Sequence, residues 1–201
     1  MLRLGGQFHK SRSLLKLSEL TGRFSFLFEQ KRVLFGILAG LAIILMFRHY
    51  IRDIVIILVL GLVAVLSTMY KRYMRAPPAV ELITFSTVMI GIAYGPLHGA
   101  IFGAVTTLVA EILNSCLDAF IVGYIPARAV VGFVSAFFPT AGIVPLGLAM
   151  SILYNAIAQP LYAFQSDAEL RMKLLAFVLI NVPFNFLVFS FLGEFVKRLV
   201  V

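Results

Sequence analysis

Residues 81–128 read ELITFSTVMIGIAYGPLHGAIFGAVTTLVAEILNSCLDAFIVGYIPAR. Two apolar runs flank Gly95-Pro96, a dipeptide that punctuates helices because proline lacks an N–H and glycine turns freely. The second run carries Glu111, Asn114 and Asp118 at i, i+3 and i+7, so all three fall on one helical face. An acid inside an apolar span costs about 2.5 kcal/mol or more unless it is paired, hydrated or turned toward protein. The stripe is therefore expected to line an internal cavity or a helix contact. The competing expectation is that Asn114 and Asp118 mark where the helix reaches water, leaving only Glu111 immersed.

Composition sets the class around this stretch. Of 201 residues, 61% are hydrophobic and 13% charged, with a mean hydropathy of +1.02. A soluble domain is about 45–50% apolar and about 25% charged, so the chain reads as an all-α polytopic membrane bundle. A membrane helix needs about 20 apolar residues. Seven segments fit: Val33–Phe47, Ile54–Tyr70, Ala79–Tyr94, Leu97–Leu113, Ala119–Phe138, Gly142–Phe164 and Leu174–Phe195. The fifth and sixth hinge at residues 139–142, and merging them gives six spans. Polar turns are expected at Arg48–Asp53 and Gln165–Lys173. Residues 33–201 thus form a single transmembrane domain behind a basic tail, 1–32.

In that tail Leu14, Leu17 and Leu20, then Phe24, Phe26 and Phe28, stand among Lys and Arg residues, which suggests a basic amphipathic segment lying on membrane lipid. Its Arg/Ser-rich start also has the look of an organellar transit peptide, but a cytoplasmic tail obeying the positive-inside rule is the preferred reading. The 17 Lys and Arg divide 13 to 4 across the membrane with either six or seven spans. That places the N-terminus in the cytoplasm and the protein in the plasma membrane, while the side of the C-terminus stays open. The net charge of +8 is accounted for by the tail and the short loops, so nucleic acid is not an expected partner. Cys116 is the only cysteine, which excludes an intrachain disulfide and a cysteine metal site.

Several polar groups sit inside the apolar segments. Glu81 opens the third, where the helix dipole favours an acid and Lys71, Arg72 and Arg75 are candidate partners. Arg128 follows Pro126; it can pair with Asp118 or Glu111, hold a ligand's carboxylate or phosphate, or snorkel to an interface. Asn155 and Gln159 lie one turn apart before Pro160, and Asn181 and Asn185 straddle Pro183. They suit either a polar cavity wall or interhelical hydrogen bonds worth about 0.6 kcal/mol each. Gly36-x-x-x-Gly40 and Gly99-x-x-x-Gly103 present smooth faces for a partner helix. No HExxH, G-x-S-x-G or P-loop appears, and the 3 His are scattered, so neither an enzyme nor a cofactor is expected.

Gly95-Pro96-x-x-Gly99-x-x-x-Gly103, the apolar helix with an acid near its end, Pro126-x-Arg128 and Val131-Gly132-Phe133 together resemble the substrate-binding S components of energy-coupling factor transporters. The resemblance centres on residues 81–138. It implies a small helical membrane protein that captures a vitamin or metal ion and works with an integral-membrane coupling subunit and ATPase subunits. Two features depart from the family pattern. Val33–Phe47 is an extra segment, and Ile54–Tyr70 has no clean match to the family's small-residue coupling motif. The expected function is that of a substrate-binding subunit for uptake of a small organic, vitamin-like micronutrient. Its cavity would be lined by Glu111, Asn114, Arg128, Asn155, Gln159, Asn181 and Asn185. The alternative is a structural membrane scaffold, similar to the cell-shape protein MreD, with no transport activity.

Overall fold

The computed structural model describes residues 31–73, 80–115, 117, 121–163 and 168–201, with backbone only at 161–163, 168–170 and 173. The basic tail up to residue 30, Pro77-Pro78, Cys116 and Asp118 lie outside the described residues, as do the expectations attached to them. Among the described residues seven α-helices follow one another and there is no strand. They are α1 (31–46), α2 (Arg48–Leu66), α3 (Ile83–Tyr94), α4 (Pro96–Asn114), α5 (Ile121–Ser135), α6 (Ile143–Ala163) and α7 (Ala168–Val200). A single 3-10 turn, Met69–Arg72, follows α2. Among the described residues, four stretches are long and apolar enough to cross a membrane: Arg48–Arg72, Pro96–Asn114, Ile143–Pro160 and Leu174–Val200. The apolar helices α3 and α5 are shorter than the roughly 20 residues a span requires.

The expected polar turn at residues 48–53 is helix instead, and so is the described part, 168–173, of the one expected at 165–173. Arg48 to Asp53 belong to α2, and only Phe47 interrupts the run, with its N–H still donating to Ile43 O at 2.9 Å. Nothing in that stretch breaks a helix, and charged residues sit readily on a helix surface. At the other end, α7 starts at Ala168, because Ala-Glu-Leu-Arg-Met-Lys are all strong helix formers. Pro126, Pro160 and Pro183 lie inside helices. The breaks fall where the backbone demands them, at residues 136–142 and at Gly95. Gly95 has φ +95° and ψ 176°, a region open essentially only to glycine. Its N–H closes α3 on Gly91 O at 3.0 Å, and Pro96 opens α4 where a missing N–H costs nothing.

By contact the chain divides between Arg52 and Asp53. In the first unit the described helical residues are largely exposed, and Gly36 and Gly40 face open space. The second unit, Asp53 to Val201, is built around α3, in which every residue from Ile83 to Ile92 is buried. The polar residues of this stretch are only the small hydroxyls of Thr84, Ser86 and Thr87, and a helix this apolar is enclosed on every side. Val131 from α5, Met150 from α6 and Phe189 from α7 pack with its Phe85, Val88 and Met89. Ala64 and Val65 of α2 meet Ala110 of α4 and Ile83 in a second cluster.

Helices α3, α4 and α5 touch through backbone. A methyl group on Gly132 would strike the carbonyl of Gly99, and one on Gly99 would strike the carbonyl of Gly132. A Cβ on Gly103 would sit 2.7 Å from Arg128 O. The smooth face at Gly99 and Gly103, expected to pack against a helix of this chain or of a partner, is filled by α5 of the same chain. That contact fixes where Arg128 stands.

Candidate functional site

Arg128 is 1% exposed, the largest fully buried side chain among the described residues. Its Nη2 forms an ion pair with Glu81, just ahead of α3, and its Nη1 donates to Thr84 Oγ1 on the first turn of α3. The guanidinium carbon lies 3.6 Å from the centroid of the Tyr154 ring on α6. A carboxylate, a hydroxyl and an aromatic face thus replace the water that a buried guanidinium loses. Arg128 Nε has no hydrogen-bond partner among the described residues.

A second ion pair stands beside the first. Lys71 Nζ, on the 3-10 turn, donates to Glu111 Oε1 of α4 at 2.9 Å, with both side chains below 10% exposure. One turn along α4, Asn114 Nδ2 donates to Thr68 Oγ1 at 2.9 Å, and that hydroxyl donates to Val65 O at 2.7 Å. Lys71, Glu81, Glu111 and Arg128 all line one chamber of about 10 Å³, enough for about one water molecule. Thr107 completes the polar wall, and Tyr124, Tyr154 and Phe177 supply an aromatic one. Two formal positive and two formal negative charges make the quartet neutral, which is how a low-dielectric interior tolerates them.

The four amides lie elsewhere, in a zip between α6 and α7. Asn181 Oδ1 accepts from Ser151 Oγ at 3.2 Å and from Asn155 Nδ2 at 3.0 Å. Gln159 Nε2 donates to Asn155 Oδ1 at 3.3 Å, and Asn185 Nδ2 donates to Asn181 O at 2.9 Å. Asn155 and Gln159 also border an open, mainly apolar groove of about 690 Å³ between these helices, rimmed by Arg171.

The seven residues expected around one cavity therefore divide. Glu111 and Arg128 line the chamber, Asn114 stands one turn beyond it, and Asn155 and Asn181 join α6 to α7, with Gln159 and Asn185 bonded to them along their own helices. The expected pairings also change. Arg128 takes Glu81 rather than Glu111, and Lys71 takes Glu111 rather than Glu81, because the backbone contact at Gly103 sets Arg128 against the start of α3. Thr84, Tyr154, Thr107 and Tyr124 were not singled out in the sequence. Two of them carried a signal: Thr84 lies three residues after Glu81 and Thr107 four before Glu111, spacings that share a helix face. Tyr154 and Tyr124, each inside an apolar run, gave none. No known protein family matches the chain, and neither the curated proteins nor the solved structures compared with it gave a match.

Proposed function

We propose that this chain is the substrate-binding subunit of a membrane uptake system for a small organic, vitamin-like micronutrient. On this reading it is a multi-pass protein of the plasma membrane with six or seven spans and a cytoplasmic N-terminus. The sequence holds no nucleotide-binding motif, so uphill uptake on this reading draws on an integral-membrane coupling subunit with ATPase subunits, or on a coupling ion.

One observation carries the reading. Four formally charged side chains, from the 3-10 turn, the start of α3, α4 and α5, converge on one aromatic-walled chamber. A bundle has little to gain in stability from such a cluster. Replacing a buried ion pair with packed apolar residues is often neutral, or stabilising by about 1–4 kcal/mol. Convergent polar groups inside apolar walls are what recognition of a small solute uses. A second reading, the scaffold, is favoured by the small chamber and by amides engaged with one another across α6 and α7.

Native mass spectrometry of the full chain, gently extracted from its own membrane, separates the two. The uptake reading expects a bound organic solute that is lost in Glu111→Gln, and copurifying ATPase subunits. A chain carrying only lipid and envelope proteins would move the assignment to the scaffold.

A further inference from the structure

Lys71 differs from the other three members of the quartet. Glu111 and Arg128 are fixed inside α4 and α5, and Glu81 is held by Arg128. Lys71 rides on a four-residue 3-10 turn, next to exposed Arg72 and to Tyr73, which is 85% exposed. Its ammonium ends a flexible four-carbon stem. A chamber of about 10 Å³ admits no organic solute while all four side chains are in place. One of them must leave, and Lys71 is the one that sits beside exposed residues and is held by a hydrogen bond to Glu111.

The charges remaining then specify the visitor. Without Lys71, Glu81, Glu111 and Arg128 sum to one negative charge. A cation restores neutrality; an anion would add a second uncompensated charge to a buried site. The walls agree. Tyr124, Tyr154 and Phe177 line the chamber, aromatic faces attract cations, and Tyr154 already holds a guanidinium. Each Arg128 Nη already has a partner, and its Nε–H has none among the described residues, so the Nε–H is the donor that faces a neutral acceptor on the solute.

Building on the uptake reading above, we infer that Lys71 occupies the place of the solute's positive end. The site takes a small organic cation that displaces Lys71 from Glu111, sets its charge against Glu111 and the aromatic wall, and offers a hydroxyl or carbonyl to Arg128 Nε.

The test uses the purified full chain in detergent with three probes of one shape and different charge: benzylammonium, benzyl alcohol and benzoate. Lys71→Met keeps the apolar stem and removes the internal competitor. Benzylammonium is expected to bind Lys71→Met about tenfold or more tighter than the parent chain, because the competent state no longer has to be opened. Glu111→Gln added to Lys71→Met should abolish that binding. Equal binding of benzyl alcohol or benzoate, equal affinity for parent and variant, or no binding to either would overturn the inference. Should Lys71→Met fail to fold, titration of the parent chain decides: benzylammonium must outrank both isosteres, and any other order overturns the inference. A neutral or anionic organic solute found on the native protein would sink the cation assignment and leave the uptake reading standing. A native protein with no solute would remove the uptake reading itself.

Discussion

Lys71 Nζ lies 2.9 Å from Glu111 Oε1, although Glu81 is the acid nearer to it in sequence. The crossed arrangement ties the 3-10 turn to α4 and the start of α3 to α5. Further hydrogen bonds hold the same corner. Ser67 Oγ donates to Ala64 O at 2.6 Å and accepts from Leu82 N at 2.9 Å, fastening the end of α2 to the start of α3. The chamber is thus closed by the link between two helices as well as by the helices themselves.

Glu81→Gln should destabilise the chain by about 3–5 kcal/mol, since it leaves the Arg128 guanidinium buried without its anion. Combining it with Arg128→Met should recover a substantial part of that loss, because the uncompensated charge is gone. The measurement is a double-mutant cycle by denaturant unfolding in micelles. Strictly additive losses would contradict a direct pair.

Gly132→Ala should cost about 1–3 kcal/mol, because the new methyl meets the Gly99 carbonyl where α4 and α5 touch. Gly40→Ala should be neutral or stabilising by about 0.5–1 kcal/mol, since its position is helical and open. Thermal unfolding of the two variants side by side checks both. Equal losses would show that close approach is not what glycine serves at residue 132.

How much was legible in the sequence follows from the range of each interaction. Helix content and apolar class came from composition and periodicity, which are local. The break at Gly95-Pro96 was visible because it is a backbone property of two adjacent residues. The turn expected at Arg48–Asp53 failed because charge marks a surface, not the end of a helix. The partners of Glu81 and Arg128 depend on how closely α4 and α5 approach, and that is set by Gly99, Gly103 and Gly132 jointly. The spacing of Asn155 and Asn181 in their own helices revealed a polar face but not that each is the other's partner.

Gly95→Ala should cost on the order of 1–3 kcal/mol, since an alanine would be forced to φ +95° with no rearrangement that keeps Pro96 at the start of α4. Space is not the cause, because a Cβ at Gly95 meets nothing within 4 Å. Gly95→Asn and Gly95→Val should lose at least as much, because the tolerance of asparagine for positive φ belongs to the left-handed helical region and not to ψ 176°. Unfolding midpoints of the three variants give the order, and an alanine variant as stable as the parent would show that α3 can end in another backbone conformation.

Asn181→Ala should cost about 1–3 kcal/mol by leaving the Ser151 hydroxyl and one N–H of Asn155 Nδ2 without their shared acceptor in a buried site, the other Nδ2 bond going to Ser151 O at 2.8 Å. The amount lost beyond simple truncation is the cost of those orphaned donors. Adding Ser151→Ala and Asn155→Leu to Asn181→Leu removes donors and acceptor together, and should restore much of the stability by converting a polar zip into apolar packing. If the triple variant is no more stable than Asn181→Ala, the network contributes more than satisfied hydrogen bonds. If it regains stability and still retains whatever solute the parent chain holds, the α6–α7 amides serve packing alone, and recognition belongs to the charged chamber.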